Sequence, residues 1–158
     1  MHDFKAALQS HQRALAIRSK LFGQEHESTA DSYKTLSVTQ HAMHDYNPAL
    51  QSKQRALAIR SKLFGEEHES IADSYKTLGV TQHEMHDFKA ALQSHQRALA
   101  IPIKLFGQEH ESTADSYREL GLTQHAMHDF KAALQSKQRA LAIRIKPFGE
   151  EYKGQYFM

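Results

Sequence analysis

The chain has 158 residues, 24% of them charged and 40% hydrophobic, with a formal net charge of +2 and no cysteine. The lack of cysteine excludes disulfides, thiolate metal sites and cysteine nucleophiles, and so small a net charge does not by itself point to nucleic acid. No apolar run approaches the ~20 residues that cross a bilayer, and Met1-His2-Asp3-Phe4-Lys5 does not read as a secretory leader, so a cytoplasmic protein with no membrane role is expected.

The sequence repeats every 42 residues. Met1-His2-Asp3-Phe4 returns as Met43-His44-Asp45-Tyr46, Met85-His86-Asp87-Phe88 and Met127-His128-Asp129-Phe130. Segments 1–42 and 85–126 differ only at Arg18/Pro102, Ser19/Ile103, Lys34/Arg118, Thr35/Glu119, Ser37/Gly121 and Val38/Leu122. A longer alternation runs through the copies, as in His11, Lys53, His95, Lys137. A fixed period of this size denotes a solenoid in which each unit buries its apolar face against its neighbours. Met1 is in register with repeat-internal methionines, which suggests either a segment of a longer protein or a start placed at a repeat-internal methionine.

In chain order, residues 1–22 predict one helix, here called a helix B, capped by Asp3 and ended at Gly23 with Lys20 in its last turn. A short polar loop, Gln24-Glu25-His26-Glu27, leads to a helix A. Ser28 and Asp31 form a capping-box pattern that recurs at Ser70/Asp73 and Ser112/Asp115, so helices A are expected from these serines to about Ala42, Glu84 and Ala126. The turn Met-His-Asp follows, and Asp45, Asp87 and Asp129 cap the next helices B. Their apolar spacing is plain in Phe88, Ala91, Leu92, Ala98, Leu99, Ile103 and Phe106. They are expected to end at Gly65, Gly107 and Gly149. The result is three A–B pairs over 28–64, 70–106 and 112–147, with a divergent tail at 152–158 whose Tyr152, Tyr156 and Phe157 are expected to fold back as a partial cap.

Three prolines disturb the pattern. Pro48 falls in a first helical turn, where it removes an N–H that Asp45 would cap; Pro102 sits inside a helix and predicts a kink or a loosened last turn; Pro147 predicts an early stop.

Tyr75, Leu78-Gly79, Ala91 and Ala98 resemble the tetratricopeptide repeat (TPR) pattern, which recurs as Tyr33, Leu36, Ser37, Ala49, Ala56 and as Tyr117, Leu120, Gly121, Ala133, Ala140. The usual TPR unit has about 34 residues. Runs such as Arg55-Ala56-Leu57-Ala58-Ile59-Arg60 before Phe64-Gly65-Glu66-Glu67-His68 are similar to the longer repeats of the kinesin light chain and nephrocystin-3 type. The resemblance covers residues 1 to about 151 and implies an all-α, right-handed α-α superhelix of about seven antiparallel helices, a lone helix B and then three A–B pairs. Two family aromatics are replaced. Gln40, Gln82 and Gln124 stand at one site, and His11, Lys53, His95 and Lys137 at the other. These polar groups must bond one another or keep their heads in solvent, and a looser array than a consensus TPR is expected.

In the family, helices A line a concave groove where peptides dock. Carried over, the groove positions are Asp31, Lys34, Val38 and His41, then Asp73, Lys76, Val80 and His83, then Asp115, Arg118, Leu122 and His125. Their spacing puts each set on one helix stripe. The resemblance thus implies a basic ladder, Lys34–Lys76–Arg118, beside an apolar ladder, Val38–Val80–Leu122, suited to an acidic-apolar partner peptide or helix. The bland alternative is that Asp31 and Lys34 merely pair along the helix surface at i,i+3. Asparagines of the carboxylate clamp are missing at Val38, Val80 and Leu122, which disfavours chaperone tails.

His41-x-x-His44-Asp45 and its copies offer two imidazoles and a carboxylate, but no fourth zinc ligand is evident, so no metal is assigned and no other cofactor is implied. His26, His68 and His110 are expected to be structural. No phosphate loop or nucleophile elbow occurs, and an enzyme is not expected. The reading is a protein–protein interaction scaffold or adaptor segment. The alternative is a passive spacer within a larger protein. Self-association through uncapped ends is also expected.

Overall fold

The computed structural model describes the backbone of residues 3–156 and the side chains of residues 3–146. Among these residues there are seven helices and no strand: α1 (Phe4–Phe22), α2 (Glu27–Ala42), α3 (Tyr46–Phe64), α4 (Glu69–Glu84), α5 (Phe88–Phe106), α6 (Glu111–Ala126) and α7 (Phe130–Tyr156). Each packs mainly on its neighbours in sequence, and α4 also meets α6. The even-numbered helices are the A helices and the odd-numbered ones the B helices.

Small residues let the helices close up. Ala49, Ala56, Ala91, Ala98 and Ala114 are buried, and Ile59 and Ile71 are fully so. Each of those isoleucines contributes about 1.5–3 kcal/mol through burial. Gln40, Gln82 and Gln124 are satisfied by serines of the following helix B: Ser52, Ser94 and Ser136 donate to their Oε1 atoms at 2.8, 2.6 and 2.7 Å. A polar pair thus takes the place of an aromatic contact.

The caps differ from expectation in one respect. The A helices begin at Glu27, Glu69 and Glu111, and their N-caps are His26, His68 and His110, not the serines. Each imidazole Nδ1 accepts the backbone N–H two residues on, at 3.0–3.1 Å. Each ring also stacks on the preceding phenylalanine, Phe22, Phe64 or Phe106. That stacking holds the ring where the capping lone pair is needed, so the serine side chain is not required as the cap. Asp3, Asp87 and Asp129 cap their helices B, whereas Asp45 makes no side-chain cap bond, as Pro48 requires.

Both kinds of connection, from helix B to helix A and from helix A to helix B, use the left-handed region. Gly23, Gly65 and Gly107 have φ of 90°, 81° and 91°. At the other turn, His44, His86 and His128 take φ near 60°. There Asp45 N–H bonds Gln40 O while His44 N–H bonds His41 O, and both later copies repeat the pair, which is the Schellman closure with histidine where glycine is usual.

The last turn expected to loosen at Pro102 and the early stop expected at Pro147 are both corrected. α5 continues unbroken through Pro102 for the same 19 residues as α1 and α3. Pro102 frees the Ala98 carbonyl, and the Ser116 hydroxyl of α6 donates to it at 3.1 Å. The lost helical bond is therefore replaced from the next helix. α7 likewise runs past Pro147 and Gly149 to Tyr156. Tyr152 and Gly154 stand there in place of the capping histidine and its bonded serine. The expected cap by Tyr152, Tyr156 and Phe157 lies outside the described side chains.

Candidate concave groove

The A helices α2, α4 and α6 lie side by side, and their facing stripes form a groove. Its central pocket, 280 Å³, is walled by Val38 and His41 of α2, Lys76, Thr77 and Val80 of α4, and Asp115, Arg118 and Glu119 of α6. The floor is Lys53, which reaches up from α3. A second pocket of 360 Å³ lies between α4 and α6, with Val80, His83, Leu122 and His125 on its walls and His95 of α5 beneath. A narrow cleft holds Lys34 and Asp73. Val38 is 60% exposed and Leu122 45%, so these two rungs of the apolar ladder face open space, while Val80 between them is half-buried.

The ladder of cations is partly neutralised within the chain. Lys76 pairs with Asp73 at 3.1 Å, and Arg118 with Glu119 at 2.6 Å. Among the described residues Lys34 forms no ion pair. Among the described residues the Asp31–Lys34 pair of the alternative reading does not form, and its equivalent forms at Asp73–Lys76. Asp31 and Asp115 are engaged from below, by Arg60 at 2.7 Å and by Arg144. Asp31 lines none of the groove pockets described, and the Arg60 guanidinium, itself buried, clasps it.

Sequence reasoning missed the floor. Lys53 was legible only as a polar residue at an aromatic core position. Its Nζ donates to Thr77 O at 3.2 Å and to Thr81 Oγ1 at 2.6 Å. Burial pushes its amine down to about 8. Thr81 Oγ1 also meets His41 Nδ1 at 3.2 Å, and burial, then the Lys53 charge, lowers His41. One repeat on, His95 lies flat against Gly79, where a Cβ would stand 2.5 Å from its Cε1. Its ring is 1% exposed and its Nδ1 has no partner. Burial, with His83 second, pushes it down to about 4. The alternation of lysine and histidine at this position was the available signal.

The turn histidines serve structure. His44 Nδ1 meets Tyr46 Oη at 2.8 Å, His83 Nδ1 meets Thr123 Oγ1 at 3.1 Å, and the rings pack edge-on to Tyr46, Phe88 and Phe130. Among the described residues no three His, Asp or Glu side chains are grouped to hold a metal ion. No described helix is long and apolar enough to cross a membrane. Basic side chains of the B helices are tied to loop glutamates, as in Arg55 and Lys62 with Glu25 and Arg139 and Lys146 with Glu109. At the two ends Ile17, Leu21 and Phe22 of α1 and Leu134, Leu141 and Ile145 of α7 are more than half exposed.

Stacked helix pairs with a groove along the A helices define an all-α repeat superhelix. Residues 1–62 and 49–104 match the tetratricopeptide repeat family, and the chain belongs to it, with repeats of the kinesin light chain-like type. Such arrays generally mediate protein–protein interactions and are typically non-enzymatic. A search of curated proteins gives no match. Among solved structures, BtubC (BKLC) from P. vanneervenii is 26% identical with a TM-score of 0.86, over 92% of this chain and 58% of that one. A putative kinesin light chain from Podosopora anserina with nearly identical TPR-like repeats is 24% identical with a TM-score of 0.79, over 90% and 68%. The apo form of RapI is 21% identical with a TM-score of 0.78, over 96% and 53%. The last two are likenesses of fold. The chain spans little more than half the length of BtubC.

Proposed function

We propose that the groove of α2, α4 and α6 binds an acidic-apolar segment of a partner protein, as the recognition part of a cytoplasmic scaffold or adaptor. The observation that carries this reading is Lys53. An ammonium held in a half-buried site, with its pKa pushed down to about 8, is short of negative charge. A carboxylate entering the central pocket supplies that charge and meets Lys76 and Arg118 on the walls. Val38 and Val80 beside them offer apolar contact to the flanking side chains. The surplus of apolar surface at α1 and α7 supports self-association as an additional property of the chain.

The test is a peptide-library selection against the purified chain, run beside a Lys34→Glu, Lys76→Glu, Arg118→Glu variant and a Lys53→Gln variant whose helicity is verified by circular dichroism. Enrichment of acidic-apolar peptides that both variants lose is the expected result. No enrichment, or enrichment indifferent to these charges, replaces this reading with that of a spacer array.

A further inference from the structure

The repeats carry their own control experiment at one position. Arginine stands at Arg18, Arg60 and Arg144, and proline at Pro102. Arg60 crosses to Asp31, 29 residues earlier, and Arg144 crosses the same distance to Asp115. Arg18 instead donates to Ser32 Oγ of the following helix A, at 3.0 Å. In the third repeat the equivalent acceptors are both present. Asp73 lies 29 residues before Pro102, and Ser116 lies 14 residues after it, as Ser32 does after Arg18. The guanidinium is missing, and a pocket of 390 Å³ opens there.

That pocket has Asp73, Lys76, Ser116 and the Arg144-bound Asp115 among its polar lining and Pro102, Leu105 and Phe106 among its apolar lining. Asp73 keeps only the Lys76 pair along its own helix. Ser116 donates its proton to the Ala98 and Ser112 carbonyls, so its oxygen has lone pairs left to accept. Leu105 and Phe106 are 42% and 44% exposed and offer a wall for an aliphatic stem. Five planar donors on a partly apolar stem match this set better than a lysine ammonium does.

We propose that the Pro102 pocket receives an arginine side chain from the partner segment, which replaces in trans the clasp that Arg60 and Arg144 supply in cis. The pocket shares Lys76 and Asp115 with the central pocket, so the partner carries this arginine close to the acidic residue that meets Lys53. The proposal deepens the groove reading and rests on it, but it uses a pocket that can be probed alone.

The probe is N-acetyl-arginine methylamide, titrated into the full chain and followed by backbone amide shifts, with the lysine analogue as comparison. Saturable shifts at Asp73, Ile101, Phe106 and Ser116 are expected, with the lysine analogue weaker. Two variants separate binding from folding. Pro102→Arg fills the pocket from within and regains the bond to Ala98, and Asp73→Asn removes the charge while keeping the shape. Each is expected to weaken the arginine probe about tenfold or more, the scale of one charge-assisted hydrogen bond. Absence of saturable shifts, equal binding of the lysine analogue, or binding indifferent to both variants overturns the proposal. Arginine binding that persists when Lys53→Gln abolishes acidic-peptide binding shows the two pockets to be separate. If acidic peptides fail to bind at all while the arginine result holds, the groove reading falls and the pocket stands.

Discussion

Replacing His95 by phenylalanine separates a buried titrating group from the rest of the array. The imidazole is 1% exposed, its Nδ1 is unbonded, and burial pushes its pKa from the usual 6.5 down to about 4. In the unfolded chain the same group takes up its proton near pH 6.5, so the unfolded state binds more protons between the two values. The stability that the neutral ring sustains is therefore complete above pH 6.5 and is lost as the pH falls towards 4. A separation from 6.5 to about 4 corresponds to about 3 kcal/mol at the acid end, of which about 2 kcal/mol is gone by pH 5. Phenylalanine keeps a flat ring against Gly79 and does not titrate. It also removes a buried unpaired nitrogen, which at neutral pH is worth about 1–3 kcal/mol. Urea unfolding of both proteins at several pH values from 7.5 to 4 reads the effect, and subtracting one curve from the other cancels the remaining histidines. The expected result is a variant more stable at neutral pH whose advantage widens by about 2 kcal/mol at pH 5. Parallel stability curves for the two proteins would refute the reasoning.

Three further outcomes follow from the packing. Gly79→Ala places a methyl 2.5 Å from the His95 ring, so despite the better helix propensity of alanine it is expected to destabilise by about 1–2 kcal/mol, and adding His95→Lys, the Ser37/Lys53 arrangement, should restore most of the loss; both are read by thermal melts. Ser116→Ala strips the Ala98 carbonyl of its substitute donor and should cost about 1–2 kcal/mol more than Ser74→Ala, whose hydroxyl bonds only the preceding turn at Ser70 O; equal losses in urea titrations would contradict that account of Pro102. Arg60→Ala removes a buried guanidinium from Asp31 and should cost about 1–3 kcal/mol, while Arg55→Ala, whose exposed pair with Glu25 spans 3.7 Å, should change stability little.

The fold was legible because the period states which surfaces meet: Ala49, Ala91 and Ala133 recur where helices must approach closely, and Gly23, Gly65 and Gly107 where the chain must turn. The N-caps were not. Ser28 and Asp31 carry the familiar capping signature, and the histidine before them gains its role only through stacking on Phe22, a contact that short-range rules do not contain. The groove walls could be placed in sequence because steps of three and four residues share a helix face. The floor could not. Lys53 reaches Thr77 and Thr81 on another helix, and the exchange of Arg for Pro102 matters only because Asp73 and Ser116 converge on it from two others. Helical periodicity describes one helix at a time, whereas these contacts depend on how far a long side chain reaches between helices.

The central claim is that Lys53 and its neighbours recognise a carboxylate, and a charge-reversal cycle tests it most directly. A peptide selected on the chain would be made with its acidic residue intact and changed to lysine, and each form titrated by calorimetry into the protein and into Lys53→Glu. The account predicts that each single change weakens binding, that the double change recovers it with a coupling of about 1–2 kcal/mol, and that binding to the unchanged protein weakens as the pH rises through about 8, where Lys53 loses its proton. Additive losses with no recovery, and affinity flat across that pH range, would contradict it.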